Sequence, residues 1–111
     1  MDVIAEIKIV PLGTATTSLS RYVAASLDAA AKTEGITCQL TAMGTIVQGP
    51  LDRVLELAQK MHEAPFGMGA RRVLTTINID DRRDKPATMA GKVASVEAAR
   101  GQHCPPAGDD I

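Results

Sequence analysis

The chain has 111 residues, of which 45% are hydrophobic, and a formal net charge of -1. That length is one domain's worth, the apolar content argues against a disordered chain, and the charge provides no positive field of the kind nucleic-acid binding draws on. Tyr22 and Phe66 are the only aromatic residues besides histidine and Trp is absent, so the core has to be aliphatic and the strands carry nothing on which bases could stack.

Val3, Ala5, Ile7 and Ile9 alternate with Ile4, Glu6, Lys8 and Val10, which is the two-residue period of a strand; Pro11 and Gly13 are expected to end it. Thr14 to Ser18 reads as a hydroxyl-rich loop. Leu19, Val23, Leu27 and Ala30 then recur at helical spacing, with Ser18 placed to cap the helix and Gly35 placed to supply a left-handed stop. Ile36, Cys38, Leu40 and Ala42 alternate with Thr37, Gln39, Thr41 and Met43 as a second strand. Gly44 marks a turn, and Thr45 to Gln48 form a short third strand. Gly49-Pro50 opens a second helix, proline being tolerated in a first turn. Its apolar stripe is Leu51, Val54, Leu55, Ala58 and Met61, and Pro65 and Gly67 end it. Val73, Thr75, Ile77 and Ile79 alternate with Arg72, Leu74, Thr76 and Asn78 as a fourth strand. Asp80 to Pro86 is a charged loop, and Met89, Val93 and Val96 predict a short helix starting near Thr88.

Strand, helix, strand, strand, helix, strand, then a terminal helix is the split β-α-β order. With right-handed crossovers both longer helices fall on one face of an antiparallel sheet. The expectation is therefore an α+β, ferredoxin-like β-α-β-β-α-β sandwich with a short C-terminal helix, occupying residues 1–100, and a disordered tail over 101–111, where two prolines and two glycines cluster. The uncovered sheet face of so small a domain predicts a homo-oligomer. The first residues show no charged segment followed by an apolar one, and no run approaches the length of a membrane span, so the expected setting is cytoplasmic, without a membrane partner. Cys38 and Cys104 make no disulfide framework. Cys38 is expected as a buried free thiol, Cys104 as a tail thiol. His103-Cys104 and the lone His62 do not make a metal site, and no cofactor is expected.

Several short runs, in this order, are familiar: Ile9-Val10-Pro11-Leu12-Gly13; Ser18-Leu19-Ser20-Arg21-Tyr22-Val23-Ala24; Met43-Gly44-Thr45; Gly49-Pro50-Leu51; Phe66-Gly67-Met68-Gly69-Ala70-Arg71-Arg72-Val73; and Ile79-Asp80-Asp81-Arg82-Arg83-Asp84-Lys85. Together they resemble the small thiamine-binding protein family across roughly residues 1 to 98. The resemblance implies a ferredoxin-like domain that binds thiamine or its hydroxymethylpyrimidine part, without catalytic activity, in dimers and tetramers formed through the sheets, as a carrier or sensor in thiamine supply. The chain departs from the family near the end of the third strand, where Gln48 stands in place of an acidic residue. A carboxylate complements a thiazolium cation better than an amide does, so the departure favours a neutral, pyrimidine-like ligand.

Six residues are candidate ligand contacts. Ser20 lies at a helix N-terminus, where unpaired N–H groups gather, and the family resemblance falls on it; Ser18 reads better as a cap. Thr75 sits among Val73, Ile77 and Ile79, and its hydroxyl needs a partner, either main chain or a pyrimidine nitrogen. Thr45 follows the Gly44 turn near the mouth between sheet and helices, and its alternative is an ordinary strand threonine. Met43 and Phe66 are suited to flank a flat ring, the alternative being plain core, and Gln48 is the residue where an acid is expected. The loop Asp80 to Asp84 reads as a self-paired surface. Two rival functions share the fold. An acylphosphatase-like hydrolase wants an arginine in the loop after the first strand, and Pro11 to Ser20 has none; a purely structural oligomerisation domain needs no site at all.

Overall fold

The computed structural model describes residues 1–100. The expectations for residues 101–111, with Cys104 and His103, lie outside them. The elements are β1 (Asp2–Leu12), α1 (Ser20–Ala30), β2 (Thr37–Thr41), β3 (Gly44–Pro50), α2 (Leu51–Gly67), β4 (Arg72–Asp80) and α3 (Met89–Arg100). The strands make one antiparallel sheet in the order β2-β3-β1-β4, so the architecture is the α+β, ferredoxin-like one the element order predicts.

Register fixes which residues share a face, because directly opposed residues on antiparallel strands point the same way. Val3 opposes Gly49, Ala5 opposes Val47 and Ile79, and Ile7 opposes Thr45 and Ile77. Val3, Ala5, Ile7 and Val47 are buried against Val54, Leu57, Ala58 and Met61 of α2. The core is aliphatic, as the composition requires. Gly49 holds the β2 entry close: a Cβ added there would come within 2.5 Å of Ile36 Cδ1 and 2.8 Å of the Gly35 carbonyl.

Proline placement departs from the sequence reading twice. β1 runs through Pro11, which is buried, because β3 accompanies β1 only as far as Ile7. Beyond that point β1 has β4 alone as a neighbour, an edge position of the kind where proline is accepted. Pro65 likewise lies inside α2, within its last turn. Its missing N–H leaves the Met61 carbonyl without an intrahelical donor, and the buried Ser26 hydroxyl donates to that oxygen at 3.0 Å.

Helix faces differ as well. α1 buries Tyr22, Ser26 and Ala30 rather than Leu19, Val23 and Leu27, and α2 buries Leu57 while Leu55 faces solvent. The N-cap of α1 is Leu19, without a side-chain cap, so Ser18 does not fill that role. Gly35 has φ +80° in the turn into β2 rather than at the end of α1, whose C-cap is Ala31. Cys38 is exposed, not buried, because no helix covers the edge strand β2. Thr88 caps α3 by accepting from the Gly91 N–H at 2.9 Å. In the charged loop, Arg82 pairs with Asp84 at 2.6 Å and Arg83 with Asp81 at 2.8 Å, and the guanidiniums hold both carboxyls below their ordinary range.

Candidate functional site

Of the α1 stripe that helical periodicity marks as core, only Ala30 reaches it. Leu19, Val23 and Leu27, with Ser20 and Ala24, instead form one wall of a cavity of ≈ 540 Å³. Ile7 and Ile9 of β1 form its floor, and the β2–β3 turn from Leu40 to Thr45 closes the far side, with Met61 of α2 at the back. The lining contains no His, Cys, Asp or Glu, and Lys8 is its only charged residue.

Three of the six candidate contacts meet here: Ser20, Met43 and Thr45. Met43 is 70% exposed at the tip of the hairpin, over the mouth. Ser20 Oγ lies 3.4 Å from Ser18 Oγ. Thr45 is the distinctive member. It is only 3% exposed, it lines the cavity, and its hydroxyl has no hydrogen-bond partner among the described residues. The hydroxyl is not among the buried polar atoms left without a partner, so it is open to the cavity, where an entering group can reach it.

The other three candidates lie elsewhere, each for a physical reason. Thr75 does face the helices, but its partner is neither main chain nor open space: its Oγ1 is hydrogen-bonded to His62 Nδ1 of α2 at 2.6 Å. Phe66 packs edge-on against His62, with ring centroids 5.4 Å apart, and does not meet Met43. Gln48 points to the opposite face of the sheet. Its Nε2 donates to Asp2 Oδ2 at 3.2 Å, and its Oε1 accepts from the Met89 N–H at 3.0 Å, at the start of α3. No residue type flagged Val23 or Leu27 as cavity-lining. Their signal was the helical spacing itself, which reports a shared face but not what covers it.

A second cleft, of ≈ 480 Å³, lies between the loop after β1 and the connection from α2 to β4, with Gly13, Thr14, Tyr22, Gly69, Arg71 and Arg72 among its lining. The loop after β1 has no arginine of its own, yet the fold brings two to it.

The family model described as thiamine-binding protein matches residues 5–97, nearly all of the described chain. The chain belongs to the thiamine-binding protein family. The UPF0045 protein YqgV of Bacillus subtilis is 46% identical over 96 residues, spanning 84% of this chain and 92% of that one. Among solved structures of similar fold, protein MJ1052 of Methanocaldococcus jannaschii superposes with a TM-score of 0.79 at 32% identity, covering 86% of this chain and 95% of that one. A Thermotoga maritima protein, provisionally assigned to thiamine biosynthesis or salvage, superposes with a TM-score of 0.69 at 18% identity over 86% and 99% of the two chains; at that identity the likeness speaks for the fold alone. No helix among the described residues is long and apolar enough to cross a membrane.

Proposed function

We propose that this member of the thiamine-binding protein family is a non-catalytic binding protein that takes the hydroxymethylpyrimidine part of thiamine, free or within the whole vitamin, into the cavity beside α1. The observation that carries the reading is Thr45: a residue only 3% exposed whose hydroxyl, without a partner among the described residues, lines a largely aliphatic cavity. A flat heteroaromatic ring with a few acceptors and donors suits such a lining, since the walls supply apolar contact and the hydroxyl fixes orientation. Ser20 at the mouth and Met43 over it complete the set of contacts. Thr75, Phe66 and Gln48 are left to structural roles. The lining offers no carboxylate to a thiazolium ring, which favours the neutral pyrimidine over the cationic half of thiamine.

Two further features belong to the same reading. The chain acts as a cytoplasmic carrier or sensor, and it works as a homodimer or homotetramer associated through its open sheet face. The absence of His, Cys, Asp and Glu from the lining supports binding over hydrolysis, because general acid–base chemistry needs such groups within reach of the substrate.

The test is a thermal-shift titration with thiamine, its phosphates and hydroxymethylpyrimidine. A ligand that binds only the folded state raises the Tm, and at a hundredfold excess over its Kd it adds about 2.7 kcal/mol. A saturable rise is expected with hydroxymethylpyrimidine and a smaller one with thiamine. A flat response across the whole panel removes the proposal.

A further inference from the structure

We propose that the second cleft binds a phosphate-bearing small molecule, and that Arg71 and Arg72 are its anion contacts. Arginine partners make the case. Arg53 pairs with Glu56, Arg82 with Asp84 and Arg83 with Asp81. Arg21 reaches the Tyr22 hydroxyl and lies over its ring, and Arg100 has a partner too. Among the described residues only Arg71 and Arg72 have none, and both line the same cleft. No Asp or Glu lines it. Two guanidiniums lining one cleft with no carboxylate beside them leave the cleft with an uncompensated positive charge, which attracts an anion.

The opposite wall supplies donors of a different kind. The N–H groups of Gly13, Thr14 and Ala15 donate to no acceptor among the described residues. Gly13 has φ +72° and Gly69, across the cleft, φ +97°, and a Cβ at either would meet nothing within 4 Å. Successive free amides beside open glycines form the type of concavity that receives oxyanions. A cleft that offers both backbone amides and arginine forks suits a phosphate, which presents three oxygens and up to two charges, better than a carboxylate, which presents two oxygens and one. No residue lines both cavities, so this inference stands apart from the pyrimidine reading.

The full chain, at low ionic strength, is titrated with inorganic phosphate and with pyrophosphate, read by calorimetry and by backbone amide NMR. Neither anion can fill the aliphatic cavity, so success or failure here does not bear on the pyrimidine site. The expected result is saturable binding that weakens with added salt, with shifts centred on Gly13, Thr14, Ala15 and Gly69. Arg71→Ala and Arg72→Ala should each weaken it roughly tenfold to a hundredfold, and Arg72→Lys should restore part of the loss, having the charge without the fork. Thr45→Val should leave it unchanged. Both arginines are exposed, so circular dichroism of the variants should match the parent. Three outcomes overturn the proposal: no saturable binding; binding that survives Arg71→Ala/Arg72→Ala; or a smaller particle mass for that double variant, which would assign the arginines to carboxylates of a second copy.

Discussion

Gln48 shows how a single side chain can be held by two obligations at once. Its carbonyl accepts from the Met89 N–H and its amino group donates to Asp2, a combination only an amide provides. A glutamate could serve Met89 but would set its second oxygen against the Asp2 carboxylate. Gln48, where the resemblance leads one to expect an acid, therefore has a local role at the start of α3. The ligand argument passes to the cavity lining and to Thr45. Replacing Thr45 by Val removes a hydroxyl that satisfies nothing in the free protein, so unliganded stability should change by less than about 1 kcal/mol. The ligand shift should shrink, with affinity for hydroxymethylpyrimidine falling roughly threefold to tenfold, the worth of one neutral hydrogen bond; an undiminished shift would remove Thr45 from the site. That Ser20, Met43 and Thr45 gather at one cavity was legible because turn and helix-start positions are fixed by local chemistry. Thr75 and Phe66 were not, since the partner of both is His62: Phe66 meets it one turn along the same helix, and Thr75 meets it only once β4 packs against α2.

At the scale of elements, α1 and α2 are joined by a repair. Pro65 removes the donor that the Met61 carbonyl would otherwise use, and Ser26, from the neighbouring helix, replaces it. Alternation and helical spacing located every strand and helix, because those periods follow from the backbone itself. They missed which face of α1 turns inward: Leu19, Val23 and Leu27 are the more apolar choice, yet Tyr22, Ser26 and Ala30 are buried. A serine earns an inward position only when a partner waits there, and the partner is created by a proline 39 residues later in the chain. A double-mutant cycle tests this. Ser26→Ala alone should cost about 1–3 kcal/mol in urea unfolding, the penalty for a buried carbonyl left unpaired. In a Pro65→Ala background the residue 65 N–H becomes available to Met61, and the cost of Ser26→Ala should fall by about 1 kcal/mol or more. Purely additive effects would mean that the two residues are not linked through that carbonyl.

For the whole molecule the governing asymmetry is that α1 and α2 lie on one face of the sheet. Leu74 is 58% exposed on the other face, where it opposes Val10, and Ile4 and Ile46 share that surface. Ile77 and Ile79 stay 37% and 41% exposed along β4, which also offers a free edge. Apolar surface spread over a face and an adjoining edge is what a second copy would cover, and a stable interface needs roughly 1,200 Å² or more in total. Light scattering on the purified chain should accordingly return a multiple of the 11.7 kDa chain mass. Leu74→Asp would bury a carboxylate in that interface and should lower the measured mass, while leaving the α1 cavity, on the opposite face, able to bind its ligand. A monomer at every concentration, or an oligomer indifferent to Leu74→Asp, would move the association away from the open face. If instead ligand binding vanished along with the oligomer, the cavity would need its neighbour to hold its shape, and binding and assembly would be one equilibrium.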